Sequence, residues 1–300
     1  MLQGIAALGF ETPTPVQELV IPTALKSDDD FIALAQTGTG KTAAFGLPLL
    51  QRIDPANKNV QALVLCPTRE LCVQVAGDLE SYSRFAHQYK VVAVYGGASI
   101  ETQIRKIKAG AQIIVATPGR LVDLMVRQVA HLEKISRVVL DEADEMLNMG
   151  FKDAVDLILG AVENRKSIWL FSATMPAEVR AIAATYMHDP LELSVGQRNQ
   201  TNENIEHRYY LCHSSDRFDA LKRIVDATHG IYGLILCRTR NETKEIAEQM
   251  IRDGYNADAL HGDLAQPDRD RVMQRFRERN LQLLIATDGA ARGIDVSDIS

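Results

Sequence analysis

At 300 residues the chain has room for two domains of about 150 residues each. Its apolar share of 46% and charged share of 24% are ordinary for a soluble globular protein, and no run of about 18 apolar residues offers a membrane span. The net charge of −6 divides evenly, with 19 Lys and Arg against 22 Asp and Glu up to Gln200 and 14 against 17 beyond it, so any nucleic-acid contact has to be built locally.

The N-terminal "MLQGIAALGFETP" lacks the basic-then-apolar order of a secretory signal. Cys66, Cys72, Cys212 and Cys237 show neither CxxC nor zinc spacing and read as reduced thiols of a cytoplasmic chain.

In chain order, the first informative element is the apolar run 31–34. Ala35 and Gln36 follow it, then Thr37-Gly38-Thr39-Gly40-Lys41-Thr42, then an Ala-rich helical stretch. That is the strand–loop–helix context of a P-loop. Glycines let successive backbone N–H groups turn toward phosphate oxygens, and the helix N-terminus adds partial positive charge. Lys41 is placed to reach β and γ phosphates, and the Thr42 hydroxyl to coordinate Mg²⁺. The departure from the strict pattern is Ala35 in place of the first glycine. The competing reading is a Gly-Thr turn that happens to precede a lysine.

Next come "LVLCPTR" (63–69), "AVYGGAS" (93–99) and "IIVATPG" (113–119). "RVVLDEADEM" (137–146) then sets Asp141, Glu142 and Asp144 directly after an apolar run. Carboxylates crowded at the end of a buried strand repel one another unless a cation sits between them. Asp141 is the candidate to hold a metal, mostly through water. Glu142 is the candidate to orient and deprotonate a water attacking the γ-phosphate. An acidic first helical turn favoured by the helix dipole is the alternative.

A polar, Asn-rich stretch at 194–204 reads as a junction, which expects domains over 1–195 and 205–300 with a linker at 196–204. Beyond it, "LILCRTR" (234–240), "ALHGDLA" (259–265) and "LLIATDG" (283–289) repeat the earlier blocks in order, at offsets of 171, 166 and 170 residues. Two copies of one fold are therefore expected. Strand, polar loop and helix in alternation predict an α/β architecture, a parallel sheet covered on both faces, with ligands at the carboxyl ends of the strands. Shared strand-cap chemistry alone would produce the same echo. Residues 243–262 read as helix then strand, and His261 at the end of that strand serves equally as a polar contact or a cap.

Taken together, "AQTGTGKT", "PTREL", "GG", "TPGR", "DEAD", "SAT", "LILCRT", "HGD", "QPDR" and "ATDGAARGID", preceded by "GFETPTPVQ", resemble the motif series of the DEAD-box RNA helicases in order and spacing. The resemblance runs from Gly9 to Asp295. It implies two tandem RecA-like P-loop domains and ATP with Mg²⁺ as cofactors. Gln17 would read the adenine edge and Asp295 would reach the ribose. Ser172 and Thr174 would couple the ATP site to RNA-driven closure. Pro67, Thr68, Arg69, Gly96, Gly97, Thr117, Pro118, Gly119 and Arg120 would hold the RNA backbone on the first domain. Arg240, Gly262, Gln266, Arg269 and Thr287 would continue that path on the second. Such backbone contacts carry no base information, and the 2′-OH distinguishes RNA from DNA. With a single Trp, at 169 inside a strand-like run, no aromatic stacking platform is expected.

The resemblance implies ATP-dependent unwinding of short RNA duplexes or remodelling of RNA–protein complexes; an ATP-gated clamp that scaffolds protein partners uses the same motifs. The family's final arginine-rich motif is not in the sequence, so the second domain is expected to be incomplete, to expose an apolar sheet edge and to turn ATP over slowly. Gly289 stands where the family more often has Val, and Phe10 is expected to pack in the core beside "TPTPVQ" rather than to stack on a base.

Overall fold

The computed structural model describes residues 2–86, 89–194, 206, 208–287, 290, 296 and 299. The expected linker 196–204, Gly289 and Asp295 lie outside the described residues. The chain divides into two compact units, Met1–Gln200 and Thr201–Ser300.

The first unit is built on seven strands: β1 (Phe31–Leu34), β2 (Ala62–Leu65), β3 (Val91–Val94), β4 (Ile113–Ala116), β5 (Arg137–Leu140), β6 (Ser167–Ser172) and β7 (Leu191–Ser194). They pair in the order β3-β4-β2-β5-β6-β1-β7, every pair parallel. Apolar residues run unbroken along the central strands because both faces are covered. Leu63, Leu65, Ile114, Val138 and Leu140 enter one core, while Ala62, Val64, Ile113, Val139 and Trp169 enter the other. The second core is covered by the helices Pro15–Lys26, Lys41–Arg52 and Arg69–Tyr82. The first lies under Pro118–Val126, Lys152–Ala161 and Ala177–Tyr186. Trp169 is fully buried and stacks on Phe31 at 5.4 Å, so it is a core residue. Phe10 departs from its expectation. It is 45% exposed and meets only the edge of the core at Tyr82, 6.3 Å between ring centroids.

The second unit carries β8 (Gly233–Cys237), β9 (Ala257–Leu260) and β10 (Leu283–Thr287), paired parallel in the order β8-β10-β9. The internal repeat is realised strand for strand. β2, β3 and β4 correspond to β8, β9 and β10, and the order β3-β4-β2 returns as β9-β10-β8. Register returns too: Leu63 faces Ile114 as Leu234 faces Leu284, and Val91 faces Ile113 as Ala257 faces Leu283. Helices Arg240–Arg252 and Gln266–Arg277 cover opposite faces of the small sheet through Met250 and Phe276. Among the described residues β8 pairs on one flank only, and its Leu236 is 56% exposed. No helix of the described residues is long and apolar enough to cross a membrane.

Candidate functional site

The expected residues of the first unit gather along the carboxyl ends of its strands and fall into two groups. One follows β1, β5 and β6, which are neighbours in the sheet; the other follows β2, β3 and β4, neighbours on the opposite side.

In the first group, β1 runs into Ala35 and the turn at 37–40, then the helix Lys41–Arg52. Gly38 (φ +80°) and Gly40 (φ +90°) take left-handed backbone, which only glycine adopts without cost. Ala35 explains the departure from the P-loop pattern. Its φ is not positive, its N–H donates to the Ser172 carbonyl at 3.0 Å, and alanine fits where glycine is usual. Its carbonyl accepts from Lys41 Nζ at 3.2 Å, which keeps a 6%-exposed ammonium satisfied inside the loop. Thr39 Oγ1 donates to the Gln36 carbonyl at 2.7 Å.

The segment before the loop fastens it. Thr14 Oγ1 donates to the Thr39 carbonyl at 2.8 Å, and Gln17 Nε2 to the Gly40 carbonyl at 3.2 Å. Gln17 Oε1 meanwhile accepts from the Thr14 N–H at 3.0 Å, closing the first turn of the helix Pro15–Lys26. A Cβ on Gly40 would lie 2.5 Å from Gln17 Nε2, so the glutamine in this position requires glycine there. One Gln17 N–H remains after these bonds.

Asp141 and Glu142 follow β5. Asp141 is 2% exposed and its Oδ1 has no hydrogen-bond partner. Burial, opposed by Lys41 and reinforced by Glu142, lifts its pKa from the usual carboxylate value to about 6. An orphaned buried carboxylate oxygen facing a lysine-bearing loop fits a divalent cation that arrives with phosphates. Among the described residues no three His, Cys, Asp or Glu side chains could hold a metal by themselves. Glu142 stands in left-handed backbone (φ 51°, ψ 54°), a strained choice for a residue with a side chain, and Thr37 Oγ1 donates to its carboxylate at 3.2 Å.

Asp144 gains a role that sequence reasoning left open. Its Oδ2 accepts from the Thr174 N–H (2.9 Å) and Oγ1 (2.6 Å), while its own N–H donates to Ser172 Oγ at 3.3 Å. Ser172 Oγ in turn donates to the Thr174 carbonyl at 2.6 Å. Ser172 and Thr174 are thus joined to the carboxylate segment through Asp144. The sequence set Asp144 among the crowded carboxylates, but nothing in its spacing named Ser172 and Thr174 as its partners.

In the second group, Thr68 and Thr117 open the helices that follow β2 and β4, and both are buried. Thr68 Oγ1 accepts from the Leu71 N–H at 3.2 Å, an N-cap. Pro67 and Pro118 are buried, whereas Gly96, Gly97 (φ +82°) and Gly119 are exposed. The glycine turn is clamped from below by Gln103, a residue sequence reading missed. Gln103 is 4% exposed, donates to the Tyr95 carbonyl at 2.9 Å and accepts from Arg120 Nη1 at 3.2 Å. Arg120 Nη1 also donates to the Ala98 carbonyl at 3.1 Å, and Arg69 lies 4.8 Å over the Tyr95 ring. Both arginines therefore brace the turn.

The second unit repeats the pattern. Thr239 caps its helix through the Glu242 N–H at 3.2 Å, as Thr68 does. Arg240 packs against Gly262, whose added Cβ would lie 3.4 Å from its Nε, and Arg240 and Lys244 share Asp263 at 2.8 Å each. Gln266 Nε2 donates to Asp270 at 2.9 Å, Arg269 follows on the same helix, and Thr287 ends β10. His261 is buried with an unpartnered Nδ1, and burial next to Lys244 lowers its pKa. Its carbonyl accepts from the Leu264 N–H, so the backbone, not the ring, makes the turn.

Two family descriptions match the chain: DEAD/DEAH box helicase over residues 14–182, and helicase conserved C-terminal domain over residues 216–300. ATP-dependent RNA helicase CshA of Listeria monocytogenes is 42% identical over all 300 residues, which cover 57% of that protein. The chain spans roughly half to two thirds of the length of the curated relatives it matches, between 48% and 64%. Among solved structures, a DEAD box protein from the hyperthermophile Methanococcus jannaschii shares 41% identity with a TM-score of 0.63, covering 99% of this chain and 80% of that one. Dbp5 L327V of S. cerevisiae, bound to RNA and ADP BeF3, shares 32% identity with a TM-score of 0.90, covering 100% of this chain and 76% of that one. With its loops, carboxylates and duplicated strands in this arrangement, the chain belongs to the DEAD/DEAH box helicase family.

Proposed function

We propose that the chain is the core of an ATP-dependent RNA helicase, in which ATP is held by the β1–β5–β6 group and an RNA backbone by the β2–β3–β4 group and its copy in the second unit. The observation that carries this reading is Asp141. A fully buried carboxylate with an orphaned oxygen, opposite a buried lysine and a left-handed phosphate-type loop, carries a desolvation cost that a cation and phosphates would relieve. Asp141 and Thr42 would hold Mg²⁺, which would neutralise charge on the phosphates. The loop 35–42 would wrap the phosphates with backbone N–H groups and Lys41 Nζ. Gln17 would offer its remaining N–H to the base, and Asp295 would meet the ribose. Glu142 would take the proton of the attacking water, and Thr37 would hold its carboxylate beforehand. Asp144, Ser172 and Thr174 would pass the state of that site along β6.

Relatives named as ATP-dependent RNA helicases support turnover over a static clamp. Buried unpaired thiols at Cys66, Cys72 and Cys237 suit a cytoplasmic, reducing compartment. The test is RNA affinity with and without ADP·BeF3. Tighter binding in its presence is expected; equal affinity in both states overturns the reading.

A further inference from the structure

Away from the carboxyl rim, one cleft collects cations without acids. It opens on the other side of the first sheet, among the segments that precede β2, β4 and β5, and encloses about 590 Å³ open to solvent. Lys58, Lys108, His131 and Lys134 line it, with the side-chain amides of Asn59 and Gln128. No acid lines it, in a chain of net charge −6; Glu133, outside the lining, stands 3.9 Å from His131 Nδ1. Among the described residues none of the three lysines has a hydrogen-bond or ion-pair partner. Like charges gathered without a counter-ion repel one another, so the arrangement favours an anion between them.

The cleft is also preorganised. The loop that carries Lys58 and Asn59 is strapped down by two buried glutamines. Gln61 accepts from the Asp54 N–H (3.0 Å) and donates to the carbonyls of Asp54 (2.8 Å) and Asn57 (3.0 Å). Gln112 donates to the Pro55 carbonyl (3.1 Å) and accepts from the Lys90 N–H (2.7 Å). Gly110 (φ +102°) turns the chain after the helix Ile100–Lys108 against Lys58, 3.8 Å from an added Cβ. A lysine in the last turn of that helix complements its dipole, which accounts for Lys108. It does not account for Lys58 or Lys134, which come from separate loops.

We propose that this cleft is a second, non-catalytic contact for the sugar–phosphate backbone of an RNA strand. The lysines take phosphates, the amides of Asn59 and Gln128 take hydroxyls, and the apolar wall at Val60 and Ile107 takes the face of a sugar or base. The choice of RNA rests on the function proposed above. The cleft lies at the amino ends of strands whose carboxyl ends form the rim, so only a strand that outruns the rim is expected to touch it.

The test uses the 300-residue chain, Lys58→Ala/Lys134→Ala, and oligouridylates of about six and about twenty nucleotides, lengths that bracket usual single-strand sites. Both substituted residues are exposed, so the thermal melt should match the parent; Lys134→Glu serves if it does not. For the long strand, affinity should fall about tenfold, and the slope of log K against log salt should shrink by about 1.4, at about 0.7 per phosphate lost. Binding of the short strand with ADP·BeF3 should be unchanged. An unchanged long-strand slope overturns the proposal, including the case in which only titrated AMP loses affinity, which would make the cleft a free-nucleotide site. Failure of the parent to bind the short strand counts against the rim, whereas the long-strand slope reads the cleft separately.

Discussion

β2-β4-β3 and β8-β10-β9 are one three-stranded arrangement built twice, whereas β5, β6 and β1 have no counterpart among the described residues of the second unit. The difference is chemical as well as topological. Loops of the strands built twice carry hydroxyls, glycines and arginines. Their buried polar groups in the first unit, Thr68, Gln103 and Thr117, are all uncharged. Loops of the strands built once carry the buried charges Lys41, Asp141 and Asp144. A polynucleotide offers the same sugar and phosphate at every step, so a duplicated grip of hydroxyls, glycines and arginines suits it. A triphosphate with its metal is a single dense charge and needs one site of opposite and matching charges.

The sharpest way to break that division is at Glu142. Glu142→Gln should lower single-turnover phosphate release about 10²–10⁴-fold, the usual worth of a general base, while binding of RNA with ADP·BeF3 persists. Release at the parental rate would remove Glu142 from the chemistry and leave its strained backbone without a purpose. Asp141→Asn separates stability from function. A carboxyl raised to about 6 holds a proton more readily folded than unfolded, so its stabilising share is present below the ordinary carboxylate pKa and is lost as pH rises through about 6. At pH 7.5 the asparagine variant without nucleotide should therefore be more stable by about 3 kcal/mol, at about 1.4 kcal/mol per pKa unit. The gain should fade toward pH 4, and Mg²⁺-dependent nucleotide binding should be lost. Denaturant melts at the two pH values check it; equal gains at both would mean the burial cost has another source.

Much of this division was legible before any coordinates. Strands buried on both faces are apolar along most of their length, so β2, β4, residues 138–140 of β5 and residues 283–286 of β10 stood out as unbroken runs. Blocks at a near-constant offset exposed the duplication. Charged and glycine-rich segments follow those runs in the sequence, which sets them at the carboxyl ends of parallel strands, where such sheets hold ligands. What stayed hidden were contacts between distant side chains. Gln103 sits in the helix Ile100–Lys108 among lysines and an arginine, and reads as one more exposed polar residue. Its burial follows from Arg120 and the Tyr95 carbonyl, neither of them its neighbour in sequence. Arg69 and Arg120 read as free cations for RNA, yet the fold also spends them on Tyr95 and Ala98.

Gln103→Leu tests whether that clamp matters to the duplicated half alone. Losing it leaves the Tyr95 carbonyl without its donor and frees the glycine turn. RNA affinity should fall about tenfold at a stability cost of about 1–3 kcal/mol, with the affinity for ADP·BeF3 unchanged. Fluorescence anisotropy of a labelled strand measures the first and nucleotide titration the second. A parallel loss of nucleotide affinity would show that the two halves of the rim are not separable.

The smallest effects bear on the repeated threonines themselves, since an N-cap and an RNA contact are not exclusive. In Thr68 and Thr239 the hydroxyl oxygen accepts the helix N–H while its proton stays available to a phosphate. Alanine at either position should cost about 0.5–2 kcal/mol, toward the upper end at buried Thr68 and the lower end at exposed Thr239. Aspartate separates the two roles, because it caps as well as threonine but has no proton to donate and repels phosphate. Thr239→Asp, at an exposed cap, should keep its melting point, Thr68→Asp should lose some stability to burial of the carboxylate, and in both long-strand affinity should drop several-fold. Aspartate variants that bind RNA like the parent would reduce both threonines to caps, and the echo between the two units to strand-end chemistry alone.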